Sequence, residues 1–123
     1  MGDRKSILVV DDDDALCTAL KAKFGEKGYE VTVAKDGEEA LKLLREHDFS
    51  VVVTDLHMPN VDGFEVIDQI KTTRNATVPC YVITNLGSDL YCDRAMKLGA
   101  RKCFVKSLMS LRDIVEAIDR NIN

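Results

Sequence analysis

The sequence predicts an α/β fold in which five parallel strands form one doubly wound sheet with helices on both faces. Short apolar segments rich in β-branched residues alternate five times with segments whose apolar residues recur at helical spacing. Such alternation is typical of strand–helix–strand units, whose crossover connections make the strands parallel. Three of the strand segments are nearly continuous in apolar residues, which indicates a sheet covered on both faces.

Each predicted strand is a short apolar run next to polar or turn-forming residues. The five strands are predicted at residues 6–10, 29–34, 50–54, 79–84 and 102–105. No linker, low-complexity segment or shift in composition interrupts the series. We therefore expect residues 1–123 to form a single domain.

Each predicted helix carries an apolar stripe that repeats every three or four residues. The five helices are predicted at residues 15–27, 37–47, 63–72, 88–98 and 107–122. Asp36 is a suitable N-cap for the second helix, and Gly28 is well placed to end the first. Asp14 is expected to cap the first helix or to lie in its first turn, where the helix dipole favours negative charge. Asp62 is expected in a turn or cap before the third helix.

Composition limits the classes of function. The formal net charge of −4 argues against a nucleic-acid-binding surface, and no apolar run is long enough to span a membrane. The four cysteines form no C-x-x-C pair and show no zinc-ligand spacing with the two histidines. We expect reduced cysteines that pack as small apolar residues in a cytoplasmic protein. These cysteines are Cys17, Cys80, Cys92 and Cys103.

Chemically informative residues follow the predicted strands at the point where each strand ends. Asp11 and Asp12 follow the first strand, and Asp55 follows the third. Thr84 ends the fourth strand, and Lys106 follows the fifth. Parallel strands end at one edge of the sheet, where ligands of such folds bind, so these side chains are expected to converge there.

Three carboxylates at one edge repel each other unless a cation lies among them. Carboxylate oxygens are ligands that Mg²⁺ prefers. A magnesium ion together with a lysine and a threonine hydroxyl can hold a phosphoryl group. An ionised aspartate can then act as the nucleophile and form an acyl phosphate.

The segments ILVVDDD, VVVTDLHMPNVDGFE, VIT and GARKCFVK resemble, in order and spacing, the receiver domain of two-component response regulators. The resemblance covers essentially the whole chain, and D-L-x-M-P-x-x-D-G around Asp55 is its most specific part. It implies a flavodoxin-like (βα)5 fold with strand order 2-1-3-4-5. It also implies a phosphoacceptor switch of a two-component or phosphorelay system, which catalyses its own phosphorylation and dephosphorylation.

The resemblance assigns roles to individual residues. Asp55 would accept a phosphoryl group from a histidine kinase or a histidine phosphotransfer protein. Asp12 would be the principal protein ligand to Mg²⁺, assisted by Asp11 directly or through water, while Asp55 and the backbone carbonyl of His57 complete the set. Further roles fall to Thr84, which would donate a hydrogen bond to the phosphoryl group, and to Lys106, which would pair with it.

Three positions depart from the family's usual pattern. Asn85 stands where a small residue commonly follows the threonine, and it could narrow access to Asp55. Cys103 stands where an aromatic residue usually swings inward on activation, and Ser107 replaces the proline that usually follows the lysine. These departures leave a second class open, a receiver-like interaction module that is not phosphorylated.

A third class is an aspartate-based phosphohydrolase, since D-x-D follows the first strand and would make Asp11 the nucleophile. The second acidic pair of such enzymes is not found after Lys106. Binding of FMN is disfavoured because the first loop is acidic. The sequence does not define the downstream effector, and the chain is either a single-domain regulator or part of a longer protein. The family resemblance suggests homodimerisation through the fourth helix, fifth strand and fifth helix.

Overall fold

The computed structural model describes residues 5–85 and 89–122, which form a five-stranded sheet with helices on both faces. All neighbouring strands are parallel, and their order is β2-β1-β3-β4-β5. The predicted fold class and strand order are confirmed. The strands are β1 Ser6–Val10, β2 Glu30–Ala34, β3 Val51–Thr54, β4 Cys80–Thr84 and β5 Lys102–Val105.

Among the described residues, five α-helices connect or follow the strands, and a short 3₁₀ turn, Ile70–Thr72, extends the third of them. The predicted first residue of the fourth helix, Ser88, lies outside the described residues. No helix in the two described ranges has the length and apolar character needed to cross a bilayer. The helices are α1 Asp14–Glu26, α2 Gly37–Glu46, α3 Gly63–Gln69, α4 Asp89–Leu98 and α5 Leu111–Ile122.

The sheet separates two apolar cores because successive side chains of a strand point to opposite faces. On β1, Ile7 and Val9 belong to the core beneath α1 and α5, whereas Leu8 and Val10 belong to the core beneath α2, α3 and α4. All four residues are at most 1% exposed. Burial on both faces explains why the strands are almost continuously apolar in sequence.

The acidic residues before the helices mostly act as caps. Asp13 caps α1 by accepting a hydrogen bond from the amide of Leu16 at 3.2 Å, and Asp14 lies in the first turn. The predicted cap Asp36 accepts from the amide of Glu39 at 2.8 Å. Two of the four consecutive aspartates therefore stabilise the start of a helix and are not needed for chemistry.

The fifth helix starts later than the sequence pattern predicts. Residues 106–108 form a turn, and α5 begins at Leu111 with the Ser110 hydroxyl accepting from the amide of Asp113 at 3.1 Å. Leu108, which the pattern placed on the helical stripe, is 80% exposed. The capping hydroxyl of Ser110 sets the boundary, and the apolar residue before it lies on the surface.

The expectation of four reduced cysteines is wrong for one pair. Cys17 and Cys80 are buried thiols, as predicted, but Cys92 of α4 and Cys103 of β5 form a disulfide. Their Cα atoms lie 5.6 Å apart, although 11 positions separate them in the chain. The turn from α4 into β5 brings them together, and spacing along the sequence does not reveal such a contact.

Candidate functional site

The backbone sheet fixes the positions of three predicted site residues. Each follows a strand, and its amide donates to the last carbonyl of the neighbouring strand. These bonds run from Asp11 to Ala34 at 3.0 Å, from Asp55 to Val10 at 2.9 Å and from Lys106 to Thr84 at 2.9 Å. The Cα positions therefore depend on the sheet and not on the side chains that the site uses.

Three predicted metal ligands meet at this edge. Asp11, Asp12 and Asp55 each offer a carboxylate oxygen, and these oxygens all lie within 4.8 Å of one another. Asp11 is 2% exposed, Asp12 is exposed and Asp55 is half-buried. A compact set of hard oxygen donors with one side open to solvent suits Mg²⁺, which usually retains several waters.

Asp11 lies in a buried environment with charged neighbours. Burial raises its pKa to about 6, since the charged form loses hydration. The amide of Asp13, which donates to its Oδ1 at 2.9 Å, lowers the pKa and only partly offsets burial. The neighbouring Asp55 carboxylate raises it further, and the Lys106 ammonium lowers it. A divalent cation would favour the ionised form that this site disfavours on its own.

Lys106 lies beside the carboxylates. Its Nζ is 3.7 Å from Oδ2 of Asp11, and both side chains are largely removed from solvent. The ammonium thus offsets part of the negative charge when no metal is bound. At 3.7 Å this ion pair is long for a direct hydrogen bond.

The backbone packs closely around Asp55. The amide of Leu56 donates to Oδ1 of Asp55 at 2.7 Å, and the Thr54 hydroxyl donates to the Asp55 carbonyl at 2.8 Å. The start of α3 lies directly against this segment: a Cβ on Gly63 would fall 1.9 Å from the Asp55 carbonyl oxygen. Only glycine allows this approach, which accounts for the glycine in the D-G motif.

The loop between β3 and α3 has a restraint that sequence reasoning missed. Asn60 adopts φ of +67° and donates from Nδ2 to Oδ2 of Asp36 at 3.2 Å. The amide of Gly37 also donates to the carbonyl of Val61 at 3.1 Å. The sequence signal that could have predicted this conformation is the asparagine in a proline-containing loop. Asparagine tolerates the left-handed region of backbone conformation better than most residues.

The remaining predicted residues occupy different environments. Thr84 is fully buried at the end of β4, and Asn85 beyond it is exposed. His57 has an exposed side chain. Cys103 is half-buried and covalently joined to α4, whereas Phe104 faces the opposite core and stacks on Tyr81 with 6.5 Å between ring centroids. Phe104 therefore does not take the place of the aromatic residue that the family usually has at position 103.

The parallel sheet and its acidic edge are the features expected of a receiver domain. The chain belongs to the response regulator receiver domain family, whose model matches residues 7–119. Phosphorylation and Mg²⁺ binding at an acidic pocket are typical of this family.

Individual relatives agree with this assignment. The chain is 38% identical to the transcriptional regulatory protein ZraR of Klebsiella oxytoca over 107 residues, covering 87% of this chain and 24% of that protein. It is 37% identical to the transcriptional regulatory protein AfsQ1 of Streptomyces coelicolor, covering 82% of this chain and 44% of the relative. The chain thus spans less than half the length of either relative.

A solved structure shows the same architecture. The CheY-like response regulator receiver domain protein of Methanospirillum hungatei superimposes with a TM-score of 0.89 at 26% identity. The match covers 98% of this chain and 94% of that one. The likeness thus extends over almost the full length of both chains.

Proposed function

We propose that this chain is a switch in which Asp55 accepts a phosphoryl group from a histidine kinase or a histidine phosphotransfer protein. The observation that carries the proposal is the meeting of three carboxylates within 4.8 Å, with the Lys106 ammonium beside them. This arrangement supplies a nucleophile, a cation site and a counter-charge for a phosphoryl group.

The proposed ligands of Mg²⁺ are Asp11, Asp12, Asp55 and the backbone carbonyl of His57. The bound cation would offset the charge of the carboxylates and of the incoming phosphoryl group. The donor set fits, because it is compact, oxygen-based and partly open to solvent.

The residues would then perform the transfer and the later hydrolysis of the acyl phosphate. The Asp55 carboxylate attacks phosphorus, the phosphorus–nitrogen bond to the donor imidazole breaks, and an acyl phosphate forms. Lys106 turns from Asp11 to a phosphoryl oxygen, and the Thr84 hydroxyl donates to another. Attack of water on phosphorus later releases phosphate and restores Asp55. Self-phosphorylation and dephosphorylation are the catalysis we assign, with no separate enzymatic activity.

The remaining assignments follow from the family and the surface. We infer that residues 1–123 belong to one receiver domain acting in the cytoplasm through protein contacts, with no direct nucleic-acid or membrane binding. Downstream effectors, or a second copy of the chain, would contact the face formed by α4, β5 and α5. Exposed apolar residues support this choice of face: Leu90 is 79% exposed and Tyr91 40%.

Phosphorylation can be tested by the intact mass of the protein after incubation with acetyl phosphate and Mg²⁺. We expect the mass to increase by one phosphoryl group, and we expect Asp55→Asn or removal of Mg²⁺ to abolish the increase. Asp62→Asn is a matched control in the same loop: asparagine caps a helix as well as aspartate does, so labelling should persist.

Other results of the labelling experiment would favour the interaction module or the phosphohydrolase. Absence of labelling in a protein that still binds Mg²⁺ would favour an unphosphorylated interaction module, with Asn85→Ala as the test of blocked access. Labelling that requires Asp11 and not Asp55 would favour a phosphohydrolase.

Affinity for Mg²⁺ is expected to depend on pH. Because the pKa of Asp11 is raised to about 6, its ligand form predominates above that pH. Binding should therefore weaken roughly tenfold between about pH 7.5 and about pH 5, as measured by titration calorimetry. Asp68→Asn, which removes a half-buried aspartate paired with Lys71, should leave this dependence unchanged. A pH-independent affinity would mean that Asp11 does not need to ionise for binding.

A further inference from the structure

The disulfide joins two elements of the face assigned above to partner binding. Cys92 lies on α4 and Cys103 on β5, and both side chains are half-buried. Their Cα separation of 5.6 Å falls in the usual range for disulfides, so the sulfur atoms can meet without displacement of the backbone.

Within the described residues, α4 buries little of its surface. Ala95 is the one buried residue among those described for this helix. Towards α3, the Arg94 guanidinium lies 4.1 Å from the centroid of the Phe64 ring, and the Tyr91 ring lies 6.2 Å from it. A helix that buries so little is expected to open locally at low free energy, and a covalent bond to β5 opposes such opening.

The disulfide also lies on the strand that leads to the proposed phosphorylation site. Cys103 lies three residues before Lys106, on the strand at the edge of the sheet. The Lys106 ammonium contacts Asp11. A change at β5 can therefore influence both α4 and the lysine of the site.

The other two thiols are poorly suited to redox chemistry. Cys17 and Cys80 are buried, and burial raises the pKa of Cys80 to about 12 and also raises that of Cys17. Thiols that do not ionise react slowly with oxidants. Oxidation is thereby directed to the pair between α4 and β5.

We propose that Cys92 and Cys103 form a reversible dithiol–disulfide pair whose oxidation restrains α4 against β5. In a reducing cytoplasm disulfides are rare, and those that occur are usually transient or redox-sensing. The reversibility of the bond, the assignment to the cytoplasm and the link to signalling rest on the proposed function, whereas the bond itself and its effect on α4 do not.

The reaction balances with a small disulfide such as glutathione disulfide as the oxidant. One cysteine thiolate attacks a sulfur of glutathione disulfide, forms a mixed disulfide and releases one glutathione thiolate. The second cysteine thiolate attacks the first cysteine's sulfur and releases the second glutathione. The two protein thiols lose two electrons and two protons, and one glutathione disulfide becomes two glutathiones. Excess glutathione reverses both steps.

The proposal can be tested by equilibrating the protein in buffers with different ratios of glutathione to glutathione disulfide. Free thiols are then trapped by alkylation, and the intact mass of the protein is measured. We expect two fewer alkylated cysteines in oxidising buffer than in excess glutathione. The difference should be lost in both Cys92→Ser and Cys103→Ser. A disulfide that persists in excess glutathione, or thiols that never oxidise, would overturn the proposal.

Hydrogen exchange then measures the restraint. Amides of residues 89–98 are expected to exchange about tenfold more slowly in the oxidised protein, with α1 as an internal reference that does not change. Equal exchange in both redox states would overturn the proposed effect on α4.

Neither measurement needs phosphorylation. Asp55→Asn should show the same redox response, so failure of labelling at Asp55 and failure of the redox switch are separate results.

Discussion

Replacing Gly63 with alanine is expected to lower the free energy of unfolding by about 3 kcal/mol. The new Cβ would lie 1.9 Å from the Asp55 carbonyl oxygen and 2.7 Å from Cα of Leu56. Both neighbours are backbone atoms, so neither can move aside as a flexible side chain could. The start of α3 must shift from β3, and the Asp55 carboxylate must shift with it.

Denaturant unfolding of Gly63→Ala and Gly25→Ala measures this effect. Gly25 lies within α1, and a Cβ there would have no atom within 4 Å. Alanine should therefore stabilise at Gly25 by about 0.5–1 kcal/mol, because glycine is unfavourable inside a helix. Similar effects at both positions would contradict the close packing around Asp55. We also expect weaker Mg²⁺ binding in Gly63→Ala, since one carboxylate has moved.

Acidification in metal-free buffer is expected to remove a destabilising charge at Asp11. Its pKa is about 6 in the folded protein, against 3.8 in its unperturbed state, so the folded state binds the proton more tightly. Proton binding at Asp11 therefore stabilises the folded state. This contribution to the free energy of unfolding is complete below about pH 3.8 and is lost as pH rises to about 6. Above that window, ionised Asp11 costs about 3 kcal/mol relative to its neutral form.

Comparison with Asp11→Asn isolates this contribution from those of other carboxylates. Asparagine keeps an oxygen that can accept from the Asp13 amide but carries no charge. In metal-free buffer, the variant should be the more stable protein at about pH 7.5, and the difference should shrink towards about pH 4. A difference that does not change with pH would show that burial does not raise the pKa of Asp11. In saturating Mg²⁺ the order should reverse, because the metal stabilises only the folded state that binds it.

Most of the fold could be predicted because burial on both faces leaves a strong signal in sequence. Strands such as Val51–Thr54 are nearly continuous in apolar residues, and α2 begins after a capping aspartate. The start of α5 was misplaced because Leu108 matches the helical stripe in sequence, although it lies on the surface. A periodic pattern does not distinguish a buried leucine from an exposed one that precedes the cap.

The clustering at the candidate site could be predicted because parallel strands end at one edge. That rule alone places Asp11, Asp55 and Lys106 together, and carboxylate oxygens of Asp11 and Asp55 lie within 4.8 Å of each other. The rule says nothing about side-chain pairing, so the contact between Lys106 and Asp11 was not predicted. The bond between Cys92 and Cys103 was missed for a similar reason, since it depends on how α4 packs against β5.

The amide bonds that hold Asp11, Asp55 and Lys106 have a consequence for protein engineering. Any residue except proline can donate the same bond to the neighbouring strand, so the side chains at these positions can be exchanged while the backbone stays in place. Histidine or cysteine introduced there would meet at a preset spacing and could be selected for a softer metal such as zinc. The edge of this sheet therefore provides fixed backbone positions at which metal centres could be designed.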